Sequence, residues 1–216
     1  MIRFIKIIVF VFCCLLLSVA FTECSKQTAE SDIVVLLGTE SYVKPLSEFM
    51  IEDIADDFES HYGSIPEGYI PPNVEGEYLI SPTKFHYSNI GIFSDNPDIH
   101  LRITNQHNRI ATVELDDRGI IKIDTAYLMG KGPDFTLYFS ETREMNYFGS
   151  SSQVERCVII KGEKSDNGIK HLQIGLIILK ASQSSNPWIG NFQTGDYFIY
   201  YDGNYMSDNC DWFDNQ

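Results

Sequence analysis

The sequence predicts a mainly β protein: an antiparallel sheet closed into a barrel or folded into a sandwich, with one N-terminal amphipathic helix. Three observations predict it. From about residue 99 onward, apolar side chains recur at every second position, the period of a half-buried strand. Turn chemistry separates these runs, above all Asp116-Asp117-Arg118-Gly119 and Asp166-Asn167-Gly168. A single segment carries the longer period of an amphipathic helix.

Residues 1–23 read as a signal peptide. Arg3 and Lys6 form a basic start, and the 15 residues from Ile7 to Phe21 carry no charge. An apolar core of about 7–15 residues is a secretory length, whereas a spanning helix needs about 20. Phe21-Thr22-Glu23-Cys24 follows, and then a polar run, residues 25–32, of tether composition. The arrangement resembles a bacterial lipoprotein signal, which implies cleavage before Cys24 and lipid (palmitate among the acyl groups) on that cysteine. Such signals usually carry Gly, Ala or Ser before the cysteine; here Glu23 stands there. Ser18-Val19-Ala20 offers a competing cleavage that leaves a soluble chain from Phe21, secreted or periplasmic. The expected location is therefore the cell envelope, lipid-anchored to a membrane such as the outer membrane or cell surface.

Residues 33–216 make a single β-rich domain, long enough for one core. Ile33 to Leu37 is a short apolar run of undecided role. The helix is expected over about 45–60. Pro45 suits a first turn, Leu46, Met50, Ile54 and Phe58 recur every four residues, acids take the other face, and Gly63 ends it. Pro66, Gly68, Pro71 and Pro72 then stiffen a connector.

Alternation begins at Ile99, Leu101 and Ile103 and continues through Ala111, Val113 and Leu115, then Ile121 and Ile123. Phe135, Leu137 and Phe139 form the next run, and Val154, Val158 and Ile160 lead to Asn167-Gly168. Leu172 to Leu179 is apolar on both faces and is expected to be central and covered on both sides. Tyr197 to Tyr201 is a late aromatic strand stopped by Asp202-Gly203. About eight to ten strands of ordinary length fit the chain. A barrel is preferred, with the helix capping one end or packing on the wall.

Pro71 to Ile80 contains Gly76-Glu77-Tyr78, a glycine with an aromatic two residues on. This resembles the first strand of lipocalin-like barrels, with Tyr78 where that family usually has Trp. With the signal, the chain is similar to exported lipoproteins of unknown function from Bacteroidetes, some with lipocalin-like domains. The resemblance implies an up-and-down barrel with an interior cavity for a small apolar ligand. The C-terminal helix usual in that family has no counterpart here.

Charge narrows the partners. Removing residues 1–23 takes two bases (Arg3, Lys6) and one acid (Glu23) from 16 Lys+Arg and 30 Asp+Glu, moving the formal net charge from −14 to −15. Nucleic acid is a poor partner for such a surface. Anionic headgroups repel it too, so the membrane is met through the lipid anchor. Cys13 and Cys14 act as small apolar residues of the signal. Cys157 and Cys210 remain, an even pair in an oxidising compartment, and are expected to form a disulfide. Its loop of roughly 50 residues would be worth about 3–4 kcal/mol.

Chemical motifs are few. No GxSxG, HExxH, Walker or GxGxxG pattern occurs, and His61, His86, His100, His107 and His171 lack ligand spacing, so no enzyme, cofactor or metal site is expected. Asp116/Asp117 and Asp56/Asp57 read as a turn and a polar helix face. The acidic tail from Asp202 to Asp214 offers calcium-type oxygens without an EF-hand pattern. Among the late aromatics, Trp188, Tyr197 and Tyr201 are the expected ligand-binding residues, either stacking on a glycan or lining a cavity for a small apolar ligand. Two functions compete: a binding module with a pocket, and a non-catalytic structural or protein-interaction lipoprotein with a solid core.

Overall fold

The computed structural model describes residues 43–91, 95–147, 150–182 and 192–213. The signal, Cys24, the tether, Ile33 to Leu37 and Trp188 lie outside the described residues. A 3-10 turn (Leu46–Glu48) and helix α1 (Glu52–Tyr62) precede eleven strands. These are β1 (Tyr69–Ile70), β2 (Gly76–Ile80), β3 (Thr83–Ser88), β4 (Ile99–His107), β5 (Ile110–Asp116) and β6 (Ile120–Lys131). Then come β7 (Asp134–Tyr147), β8 (Ser150–Ser165), β9 (Gly168–Ala181), β10 (Tyr197–Asp202) and β11 (Met206–Asn209).

The expected antiparallel sheet is present, and it closes. β2, β4, β5, β6, β7, β8, β9 and β11 pair in sequence, and β11 returns to β2, making a ring of eight strands. β10 lies on β9 at Gln173 to Ile177, while β11 lies on β9 at Gly168 to Lys170. β10 also pairs with β3. β2–β3 and β10–β11 are thus two long strands, each interrupted once at a common level. Gly203 N–H donates to the Pro82 carbonyl at 2.9 Å between the two interruptions. β1 is a short parallel addition to β6.

Alternation sorts the side chains. The inward set, among them Tyr78, Leu101, Val113, Leu128, Phe135, Leu137, Val158 and Ile174, forms one continuous buried cluster. A second cluster lies outside the wall, where Tyr138, Cys157, Ile159, Ile177, Tyr197 and Ile199 meet Phe49, Phe58 and Tyr62. β9 is therefore covered on both faces, as its doubly apolar sequence predicts.

The helix packs on the wall, but it starts at Glu52 rather than near residue 45. Phe49 and Phe58 are nine residues apart, about two and a half turns at 3.6 residues per turn. One continuous helix would point them to opposite sides. Ile51 instead takes an extended backbone (φ −91°, ψ 119°), and both rings reach the wall. Phe49 lies 5.5 Å from the Tyr138 ring. Phe58 needs Gly175 beneath it: a Cβ there would stand 2.6 Å from the Phe58 ring. Tyr62 donates its hydroxyl to the Ile159 carbonyl at 2.9 Å. Gly63 ends the helix at φ 80° with its N–H on the Glu59 carbonyl, as the sequence predicts.

The expected disulfide is absent: Cys157 and Cys210 are both free thiols. Register explains this. Cys157 faces Ile177 of β9, while Asp208 faces Gly168, nine residues further down the same strand. At about 3.3 Å per residue that is roughly 30 Å of strand, whereas a disulfide needs Cα atoms within about 7 Å. Cys210 instead gives its backbone N–H to the Glu77 carbonyl at 3.0 Å.

Candidate functional site

The barrel has two ends, defined by its turns. The lower end carries the β4–β5, β6–β7 and β8–β9 turns and the start of β2. The upper end carries the β5–β6 turn, the end of β3 and the start of β10. At the lower end Tyr78 folds back, and its hydroxyl donates to the Val74 carbonyl at 2.8 Å. Gly76 (φ 149°) makes room, since a Cβ would stand 2.8 Å from that hydroxyl.

The upper end is built differently. On β7 the inward series Phe135, Leu137, Phe139 continues with Glu141 and Arg143. On β8 Arg156 stands between Val154 and Val158. On β5 the series Ala111, Val113, Leu115 runs into Asp117. The turn there is set by Gly119 N–H on the Asp116 carboxylate at 3.1 Å and by positive φ at Arg118 and Gly119. Two carboxylates and two guanidiniums are thereby carried inside the wall.

They pair tightly. Arg156, 2% exposed, donates Nε to Glu141 Oε1 at 2.5 Å and Nη2 to Asp117 Oδ2 at 3.1 Å. Arg143 donates Nη1 to the same Asp117 oxygen at 2.9 Å and Nη2 to the Asp117 carbonyl at 2.7 Å. Asn96 donates to Asp117 Oδ1 at 3.3 Å, and Arg118 donates to Asn96 at 3.0 Å. One oxygen is left out: Glu141 Oε2 is shut off from solvent and has no hydrogen-bond partner among the described residues. Burying such an acceptor unpaired costs about 1–3 kcal/mol.

Aromatic rings of the inner cluster accompany these charges. Tyr200 packs edge-on to Phe85 at 5.9 Å, and Phe198 edge-on to Phe192 at 5.9 Å. Burial pushes the Tyr200 hydroxyl up to about 12, with the Asp117 carboxylate adding to the rise and Arg118 and Arg156 opposing it.

The expected ligand residues fall elsewhere. Tyr197 and Tyr201 have the outward parity of β10, and the inward pair is Phe198 and Tyr200. Tyr197 holds the helix: its hydroxyl donates to Asp57 Oδ2 at 2.6 Å and lies 3.2 Å from His61 Nδ1. Burial, with Asp57 next, raises its pKa far above the usual tyrosine range. Tyr201 meets His86 edge-on across the β3–β10 pair. Trp188 lies outside the described residues.

One carboxylate reading needs correction: Asp117 is a buried ion-pair anchor rather than a plain turn residue. Asp56 and Asp57 do lie on the exposed helix face, and Asp57 also accepts the Tyr197 hydroxyl. In the tail, Asp202 is buried, accepting the Ser207 hydroxyl at 2.6 Å and the Asn204 N–H at 3.2 Å. Glu141, Arg143 and Arg156 were missed by sequence reasoning. Their signal was there: each is a charged residue at an inward position of an apolar alternating run.

Among the described residues, no helix is long and apolar enough to cross a membrane. No family model, no curated protein and no solved structure matches this chain.

Proposed function

We propose that this chain is an exported cell-envelope lipoprotein, anchored through Cys24, whose barrel binds a small apolar ligand at its upper end. The observation that carries the reading is the buried Glu141 Oε2, an acceptor without a donor in a layer of paired charges and aromatic rings. An eight-stranded barrel is just wide enough to be filled by side chains or to hold one small ligand. The lower layers are filled by Tyr78, Leu101, Phe135 and their neighbours. That leaves the upper layer, where polar groups and rings converge, as the place for a ligand. Kinship with lipocalin-like barrels is part of this proposal.

The test uses the mature protein in lipid nanodiscs, with empty nanodiscs as the blank. N-Phenyl-1-naphthylamine, an apolar fluorescent probe, is expected to bind saturably at one per chain. No binding above the blank to folded protein overturns the reading. The anchor is tested by the intact mass of the protein purified from its own membrane. A chain starting at lipid-modified Cys24 is expected, and an unmodified chain starting at Phe21 overturns the anchor.

One observation favours a protein-interaction role instead. Tyr69 and Ile70 on β1 are 81% and 82% exposed, side by side on a two-residue strand. Replacing both by Ser and losing a co-purifying protein, with probe binding unchanged, would favour that second reading.

A further inference from the structure

We infer that the ligand of the upper end is neutral and carries a hydroxyl head group on an apolar body. The inference rests on the binding-module reading above. Glu141 Oε2 is an acceptor, so the incoming group must bring a proton to share. A hydroxyl or an ammonium does this; a carboxylate or phosphate brings only more lone pairs. The surroundings choose between the first two. Inside the wall Arg143 and Arg156 balance Asp117 and Glu141, two charges of each sign. A cationic head would add an uncompensated charge to this buried, balanced layer, which costs far more than burying a hydroxyl that is hydrogen-bonded.

A hydroxyl also accepts. The bonds of Arg156 to the two carboxylates use Nε and Nη2, and Nη1 lies outside them. One ligand hydroxyl that donates to Glu141 Oε2 and accepts from Arg156 Nη1 fills both roles without adding charge. The apolar body then lies against Phe85, Phe192, Phe198 and Tyr200.

The experiment displaces bound N-phenyl-1-naphthylamine from the nanodisc-held protein with three octyl compounds: 1-octanol, octanoate and octylamine. 1-Octanol is expected to displace at concentrations at least tenfold below the other two, after correction for partition into empty nanodiscs. In Glu141→Gln the carboxylate acceptor becomes an amide, so the alcohol is expected to lose about tenfold while octanoate gains. Equal displacement by all three, or a preference for the acid or the amine, overturns the hydroxyl assignment and leaves the binding module standing. Failure of the probe to bind at all overturns the binding module itself. If Glu141→Gln does not fold, judged by its circular dichroism, the ranking on the unaltered protein decides alone.

Discussion

At the lower end of the barrel, Tyr78 turns its hydroxyl onto the Val74 carbonyl, and the layer above it is apolar. At the upper end, the same inward positions of β5, β7 and β8 carry Asp117, Glu141, Arg143 and Arg156. The lower end gains stability from area removed from water and satisfies the buried Tyr78 hydroxyl locally. The upper end takes four charged side chains out of water and recovers that cost mainly through mutual pairing, helped by Asn96 and the Asp117 carbonyl. The difference teaches that closure of the barrel does not require the charges. The lower half closes with mostly apolar side chains and one buried carboxylate, Asp202, so the four charges of the upper layer call for another explanation, and the ligand recognition proposed above would supply one.

The largest effects test this contrast by deletion. Phe135→Ala in the lower half should lower stability by about 3–5 kcal/mol, the usual loss for a buried Phe. Arg156→Met should cost a similar 3–5 kcal/mol, because Glu141 is left buried without its partner. Their rescue should differ. Adding Glu141→Leu to Arg156→Met should recover most of the loss, since an apolar replacement of a buried pair is often neutral. Urea unfolding midpoints read all three. If Arg156→Met costs less than about 0.5 kcal/mol, as a surface change would, the upper charges are in water and the contrast fails.

A smaller effect is expected at the lower tyrosine. Tyr78→Phe removes one buried hydrogen bond and should cost about 1 kcal/mol. It leaves the Val74 carbonyl without that donor, and thermal unfolding should show the shift. Alkaline titration compares the two ends directly. Burial pushes both Tyr78 and Tyr200 up to about 12, and an unfolded tyrosine titrates near 10. Between those values the folded state holds protons that the unfolded state releases. The stability contributed by each hydroxyl is therefore whole below pH ~10 and is lost as pH rises through ~12. Tyr78→Phe and Tyr200→Phe should each flatten the fall in unfolding midpoint over that range. An unchanged slope in both variants would mean that neither hydroxyl is buried.

The smallest expected effect is none. A reductant should leave the unfolding midpoint unchanged, because Cys157 and Cys210 are free. A loss of about 2–5 kcal/mol would instead signal a native disulfide and would tie the lower tail to the mid-wall.

The class of fold was legible because four of the strands, β4 to β7, carry alternating apolar positions, and alternation is a local property. β3 was not legible. Its Phe85 lies with the inner cluster and Tyr87 with the outer one, although they are two residues apart. A register shift between Ile199 and Tyr200 on the facing strand skips His86 and breaks the period. β11 reads Met-Ser-Asp-Asn and offers no apolar pattern. The helix boundary was misread because a four-residue recurrence fits Leu46 to Phe58, while Phe49 demands a different side. The inward face of β10 was not legible either. Tyr-Phe-Ile-Tyr-Tyr is apolar or aromatic on both faces, so nothing local says that Phe198 and Tyr200, rather than Tyr197 and Tyr201, look inward. A slip of one residue exchanges the faces. Cysteine counting failed for a related reason: an even number says nothing about distance.

The closure of the ring also sets where it comes apart. β11 is joined to β2 at Asp208–Leu79 and Asn209–Tyr78, the shortest pairing in the ring. By contrast, β7 and β8 are matched from Asp134–Glu163 to Tyr147–Ser150. Breathing of the cylinder should therefore start as an unzipping along this seam, and amide hydrogen exchange should be fastest there among its ladders. Such an opening bares the edges of β2 and β11, which are templates for a strand from another chain. Asp208, exposed on β11 beside that seam, puts a carboxylate on the edge so bared, and a charge there disfavours pairing with another chain.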